Sequence, residues 1–421
     1  MTVVSSLFRE LSFLLRQRAI AGLLVLALLL SSLSISTGLT EIAHQRAAIE
    51  RMVLADKADR ENAMAKAEDW GGAAYSSFHL TYLPPSDLAF AALGQRDLSP
   101  WKHRVNLLAL EGQIHAADTA NPELALAGRI DFAFIVSVLA PLLVILLLHD
   151  LRAGERAAGR HDLLIATAGR SGGLWPMRAS ALVATLAVCL LLPFWVGAAL
   201  AGTQLAKVLA VSLLVCVHLL FWAAVSYWAG ARAAAGSVIL TGLVGFWLLL
   251  TAILPAITRV SIERAISIPA GGDIVLTQRE VVNDAWDLPK NVTMEAFVAR
   301  HPEWENEAQI DRPFEWKWYY AFQQVGDQSA ETLSTSYRQG ILERDRAASL
   351  AAFVSPPVLI DRTLQGLAGT DTRAALAYET TVRDFHARLR TWLYPKLFLE
   401  EPFDRAALSD LPAYQPLVVD E

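Results

Sequence analysis

Apolar and polar positions separate into long blocks along this chain. Five apolar runs stand out: residues 19–37, 130–149, and three between 179 and 257, at 179–201, 205–228 and 237–257. Each approaches or exceeds the roughly 20 residues that carry a helix across about 30 Å of hydrocarbon. They predict five transmembrane helices. The segments between them, 38–129 and 258–421, read as ordinary soluble protein. Within 38–129, the stretch from Glu41 to Asp69 is rich in Ala, Glu, Arg and Lys and free of Gly and Pro, so it continues the first span as a helix. Gly71-Gly72 ends it, and Pro84-Pro85, Gly94 and Pro100 mark irregular chain. This region forms a small domain by itself or joins the C-terminal part. Within 258–421, helices are predicted from Phe314 to Ala351 and from Thr372 to Phe398. Ser355-Pro356-Pro357 marks a boundary before a new helix. Gly369-Thr370-Asp371 reads as a helix end followed by a fresh N-cap. The fold class is an all-α membrane protein, with five transmembrane helices and two mainly helical extracytoplasmic regions.

Residues 1–18 carry Leu7, Phe8, Leu11, Leu14 and Leu15 at helical spacing, with Arg9, Glu10, Arg16 and Arg18 on the polar side. This predicts an amphipathic helix on the inner membrane surface. The rival reading, the charged start of a signal peptide, is disfavoured because the following run lacks a small-x-small cleavage site.

Charge fixes the sidedness. The stretch 150–180, DLRAGERAAGRHDLLIATAGRSGGLWPMRAS, holds five Arg and three acids between two spans. A short Arg-rich loop faces the cytoplasm, because Lys and Arg resist translocation. The loop 150–178 is therefore cytoplasmic, the N-terminus lies inside, and the C-terminus is extracytoplasmic. The expected location is the cytoplasmic (inner) membrane, crossed several times.

Composition removes several function classes. Hydrophobic residues make up 54% of the 421, and the formal net charge is −6. That balance suggests no basic surface for nucleic acid. The two cysteines, Cys189 and Cys216, both fall in apolar runs, so the polar regions have no disulfide and no cysteine metal site. Five Met without a cluster argue against a copper relay. His79, His103 and His115 match no ligand spacing and read as scattered surface histidines; no metal and no cofactor are implied. Asn291-Val292-Thr293 fits the glycosylation pattern by chance. The spans carry almost no ionisable residue apart from His218, which disfavours an ion-coupled transporter. The bland reading of His218 is a neutral side chain bonded to a neighbouring helix. There is no H-E-x-x-H, G-x-S-x-G or phosphate-binding loop, so the chain is not expected to be an enzyme and cannot hydrolyse ATP by itself.

Three stretches carry a family resemblance. The loop reads Glu155-Arg156-x-x-Gly159-Arg160-x-Asp162-Leu163-Leu164, then Gly169-Arg170, with Arg178 leading into the next span. This resembles the first cytoplasmic loop of ABC-2 type permeases. Residues 83–100, LPPSDLAFAALGQRDLSP, and 353–371, FVSPPVLIDRTLQGLAGTD, resemble recurrent outer segments of one branch of that family. The branch has a large C-terminal extracytoplasmic domain of unknown function, and is related to permease components linked to multicopper enzyme maturation and gliding motility. The chain departs from the family plan in showing five spans where six are usual.

The resemblance implies a permease subunit of an ATP-driven exporter. A short helix in the loop would dock into a separate ABC ATPase subunit, with Glu155, Arg156, Gly159, Arg160, Asp162, Leu163, Leu164 and Arg170 as coupling residues. Asp162, Leu163 and Leu164 would pack into the ATPase cleft, and the arginines would bind acidic residues or lipid phosphates. Further partners implied are a second permease copy or paralogue and membrane lipids. Two rivals stay open. One is a non-transporting ATPase-coupled complex acting on an extracytoplasmic protein, favoured by the size of the outer regions. The other is a membrane receptor or scaffold with no ATPase, whose loop would tolerate charge reversal.

Overall fold

The computed structural model describes residues 12, 16–115, 130–167 and 173–417. Most of the amphipathic segment expected over 1–18 falls outside them, as does Arg170.

The bundle has five long helices. α1 (Arg18–Lys66) is one unbroken helix of 49 residues, about 73 Å at 1.5 Å per residue. It merges the first apolar run with the polar helix expected after it, since neither Pro nor a run of turn-forming residues separates them. α2 (Trp70–Ser76) and α3 (Leu110–His115) are short. The second span is α4 (Phe132–Ala157). A seven-residue helix, α5 (His161–Thr167), follows in the loop. The remaining spans are α6 (Leu174–Ala201), α7 (Leu205–Gly230) and α8 (Gly236–Ala265). α6 begins before the expected boundary, so Arg178 lies inside a helix. α8 runs past residue 257.

Two spans carry a π-turn, Ile135–Leu139 in α4 and Leu249–Ile253 in α8. Pro141 and Pro255 explain them. A proline has no N–H for the ladder, and its ring crowds the carbonyl four residues back, here Ser137 and Thr251, inside each widened turn. Carbonyls in both turns find donors on other elements. Val138 accepts from Trp247 Nε1 at 3.0 Å, and Leu250 accepts from Ser355 Oγ at 2.7 Å.

The polar part forms a head built from both segments. Its helices are α2, α3, α9 (Gly271–Asp284), α10 (Lys290–Val298), α11 (Trp316–Ala352), α12 (Pro356–Ala368) and α13 (Thr372–Phe398). The stretch expected to be irregular also contains a two-stranded antiparallel sheet, β1 (His79–Tyr82) and β2 (Lys102–Val105), with His79 opposite Val105. Four-residue strands are too short to show alternation in sequence. One core joins Trp70, Leu107, Phe297, Trp318, Phe322, Tyr378 and Phe385, drawn from both segments. α12 ends at Gly369 with φ +61°, and Asp371 caps α13 by accepting from Ala374 N at 3.0 Å. Both features follow the sequence expectation.

Candidate functional site

Three places concentrate polar contacts: the loop, the joint between bundle and head, and a cavity in the head.

At the loop, the last turn of α4, Ala153–Ala157, buries Glu155. Its carboxylate accepts from Arg160 Nε at 2.8 Å and pairs with Arg178 at 3.4 Å. Arg178 is buried near the start of α6, 5.6 Å from the Trp175 ring. Glu155 thus clamps the end of α4 to the start of α6. Arg156 donates to the Arg232 carbonyl at 2.6 Å, tying the same turn to the α7–α8 connection. Gly159 sits at φ +67° with nothing within 4 Å of a would-be Cβ, so backbone conformation, not space, favours glycine there. Beyond it, α5 is stacked onto the bundle through His161 on Trp175, 5.5 Å apart. Its outer side shows Asp162, fully exposed, and Leu163, 66% exposed, while Leu164 is half-buried. The predicted coupling residues therefore divide: Glu155 is internal, Arg160 reaches back to it, and Asp162 and Leu163 face outward.

The joint is made by the two outer motifs, which meet. Leu88 to Leu93 are buried among the span ends. Phe90 stacks on Phe194, which stacks on Phe132. A Cβ on Gly38 of α1 would run into the Phe90 carbonyl. Asp87 accepts from Gln204 N at 3.0 Å and pairs with Lys207 at 2.9 Å, so it closes the start of α7. Lys207, one turn into α7, is held at that end by the pair. Asp131 caps α4 and accepts from Leu93 N at 2.9 Å. From the head side, Gln95 N donates to the Thr370 carbonyl at 2.7 Å, and Thr370 Oγ1 donates to the Ala92 carbonyl at 2.9 Å. Ile360 and Leu364 of α12 enter the bundle core. Burial, and then the Asp131 carboxylate, push the Asp361 carboxyl up to about 6, against the nearby Arg362.

The head cavity has a volume of about 610 Å³ and is lined by Glu111, Asp327, Arg338, Arg383, Arg390 and Tyr394 among others. Arg383 grips Glu111 with two bonds, 2.7 and 2.9 Å, and Ser334 adds a third at 2.8 Å. Burial by itself would raise the Glu111 carboxyl; the bonds from Arg383, His115 and Ser334 hold it well below the usual range. Arg390 binds Asp327 at 2.6 Å, and Asp327 also accepts from Leu110 N at 2.7 Å, capping α3.

The histidines correct the sequence reading. His79, His103 and His115 are buried rather than scattered on the surface. His79 packs on Phe385, His103 on Tyr378, and His115 pairs with Glu111 at 3.4 Å. Among the described residues, no group of three or more His, Cys, Asp or Glu is arranged to hold a metal. Asn291 and Thr293 lie within α10, with Thr293 buried. His218 is the exception: it is buried in the bundle with a backbone hydrogen bond to Ser137 of the neighbouring α4, as expected, although its Nε2 has no partner. The joint was missed in sequence because its contacts to the head segment join residues more than 270 positions apart. The motifs themselves were the available signal.

Five apolar helices and a helical head define a multi-pass membrane protein. Residues 273–416, most of the head, match the family described as a domain of unknown function, DUF3526. No curated protein and no solved structure matches the chain.

Proposed function

We propose that this chain is the membrane subunit of an ATP-driven complex of the ABC-2 type, an exporter permease, with its loop in the cytoplasm and its head outside. ATP hydrolysis falls to a separate subunit, and a second permease copy or paralogue completes the assembly. The observation that carries the reading is the division of the loop: Glu155 clamps its base to α4 and α6, while α5 presents Asp162 and Leu163 on its exposed side. A rigid base under an exposed short helix suits the transfer of a push from an ATPase to two spans. A non-transporting complex, in which the ATPase moves the head against a protein partner, is the second reading. The dense joint between spans and head, and the 610 Å³ cavity beyond it, favour it.

The test is co-purification with the ATPase encoded beside the gene. Asp162→Arg with Leu163→Asp should abolish capture while leaving the melting curve unchanged, since both side chains are exposed. Charge changes at Glu155 are a poorer probe, because they strip Arg178 of its buried carboxylate. Capture that survives the double change, or no capture by the wild type, would sink the proposal.

A further inference from the structure

The loop end of the bundle carries a feature that the coupling residues do not use. α6 and α7 are joined by a tight turn at the head end, where Trp195 Nε1 donates to Ser212 Oγ at 2.9 Å. Towards the loop they part into an apolar groove of about 500 Å³. Its walls are small: Ala179, Ala184 and Ala187 on α6, Ala223 and Ala224 on α7. It runs from Ala187 and Cys216 to Pro176 and Tyr227. Eleven residues along either helix make about 16 Å, close to half of the roughly 30 Å hydrocarbon thickness. The groove therefore has the length of one leaflet.

A cation stands at the mouth. The Arg152 guanidinium lies 4.2 Å from the Tyr227 ring centre and 5.9 Å from that of Trp175. Its Nε is buried without a hydrogen-bond partner. The nearby Glu155 carboxylate is taken by Arg160 and Arg178. Among the described residues, Arg152 makes no ion pair. Arg232, stacked 3.4 Å from the Trp228 ring, adds positive charge at the same end of the bundle. Arg152 itself is half-buried, and a buried, unused donor on it is costly unless an acceptor reaches it.

We infer that this groove is a binding site for one anionic phospholipid, with an acyl chain between α6 and α7 and its phosphate on Arg152. Charge complementarity and leaflet length select the occupant. The inference rests on the bundle spanning a membrane and not on any ATPase, so it can fail or stand apart from the coupling proposal.

The experiment is native mass spectrometry of the full chain released from detergent, after adding phosphatidylglycerol or phosphatidylcholine with matched acyl chains. The wild type should retain phosphatidylglycerol about five-fold more, the size expected of one Arg near an anionic headgroup. Arg152→Gln should bring the ratio to about one, and Arg152→Lys should restore part of it. Ala184→Trp, which fills the groove, should lower retention of both lipids. Inorganic phosphate should displace neither. Equal retention by the wild type, an unchanged ratio in Arg152→Gln, or displacement by phosphate overturns the inference. Should Ala184→Trp fail to fold, a fluorophore on Cys216 in a Cys189→Ser background reads the same point. Nitroxide-tagged phosphatidylglycerol must quench it more than tagged phosphatidylcholine, and equal quenching overturns the site.

Discussion

His218, Trp222 and Ser226 lie at four-residue spacing on one face of α7, all buried, and each has a polar atom without a partner. A neutral donor or acceptor in that state costs about 1–3 kcal/mol relative to an apolar group of similar shape. The side chains still fill the core, so it is the polar atoms and not the packing that are costly there. His218→Leu is therefore expected to leave the bundle equally stable or about 1 kcal/mol more stable. Thermal unfolding in detergent checks this, and a large loss of stability would show that the bond to the Ser137 backbone outweighs the unpartnered Nε2.

At the scale of elements, the head's histidines set its pH behaviour. Burial holds His79 down to about 3 and His103 to about 4, and holds His386 well below its ordinary value. His386 Nε2 donates to the Asn106 and Leu108 carbonyls, both at 3.0 Å, which suits the neutral ring. The unfolded chain takes up protons near 6.5 that the folded head refuses. Stability from these groups is complete above 6.5 and is lost as pH falls below it. His79 and His103 each cost about 2 kcal/mol by pH 5, and His386 acts in the same direction. Asp361 acts the other way: its contribution is full below the ordinary carboxylate value and is lost as pH rises towards about 6. Three histidines outweigh one aspartate, so the head should melt at a clearly lower temperature at pH 5 than at pH 7. Asp361→Asn should deepen that difference, since it removes the opposing group. A flat profile would mean that the histidines are reached by water.

The same elements show what a sequence can disclose. The spans follow from run length, and α13 begins and ends where its periodicity, Asp371 cap and apolar face put it. The loop's outward residues were also readable, because a polar helix tip needs no distant partner. The internal pairing of Glu155 was not readable, since its partner Arg178 lies 23 positions on in a helix whose start was placed too late. The joint was invisible for the same reason on a longer scale. Ser355 reads as a boundary marker, yet its hydroxyl serves a carbonyl 105 positions earlier that only a π-turn releases.

For the whole molecule, bundle and head act as a single body as long as α1 stays straight and the joint stays closed. Thr40 is exposed on α1 between the two halves and donates to the Ser36 carbonyl at 2.8 Å. Thr40→Pro should cost about 3 kcal/mol by breaking the ladder there. It should split the calorimetric transition of the full chain into two, one for the bundle and one for the head. A single cooperative transition in the variant would show that the joint alone carries the connection.

The length of α1 has a mechanical meaning. A tilt of about 5° about Gly38, which leaves about 42 Å of helix on the head side, carries that end through about 4 Å. A small tilt of the span is thus passed to the head with its direction reversed and its size slightly increased. The helix works as a lever whose fulcrum is the point where Gly38 lies against Phe90.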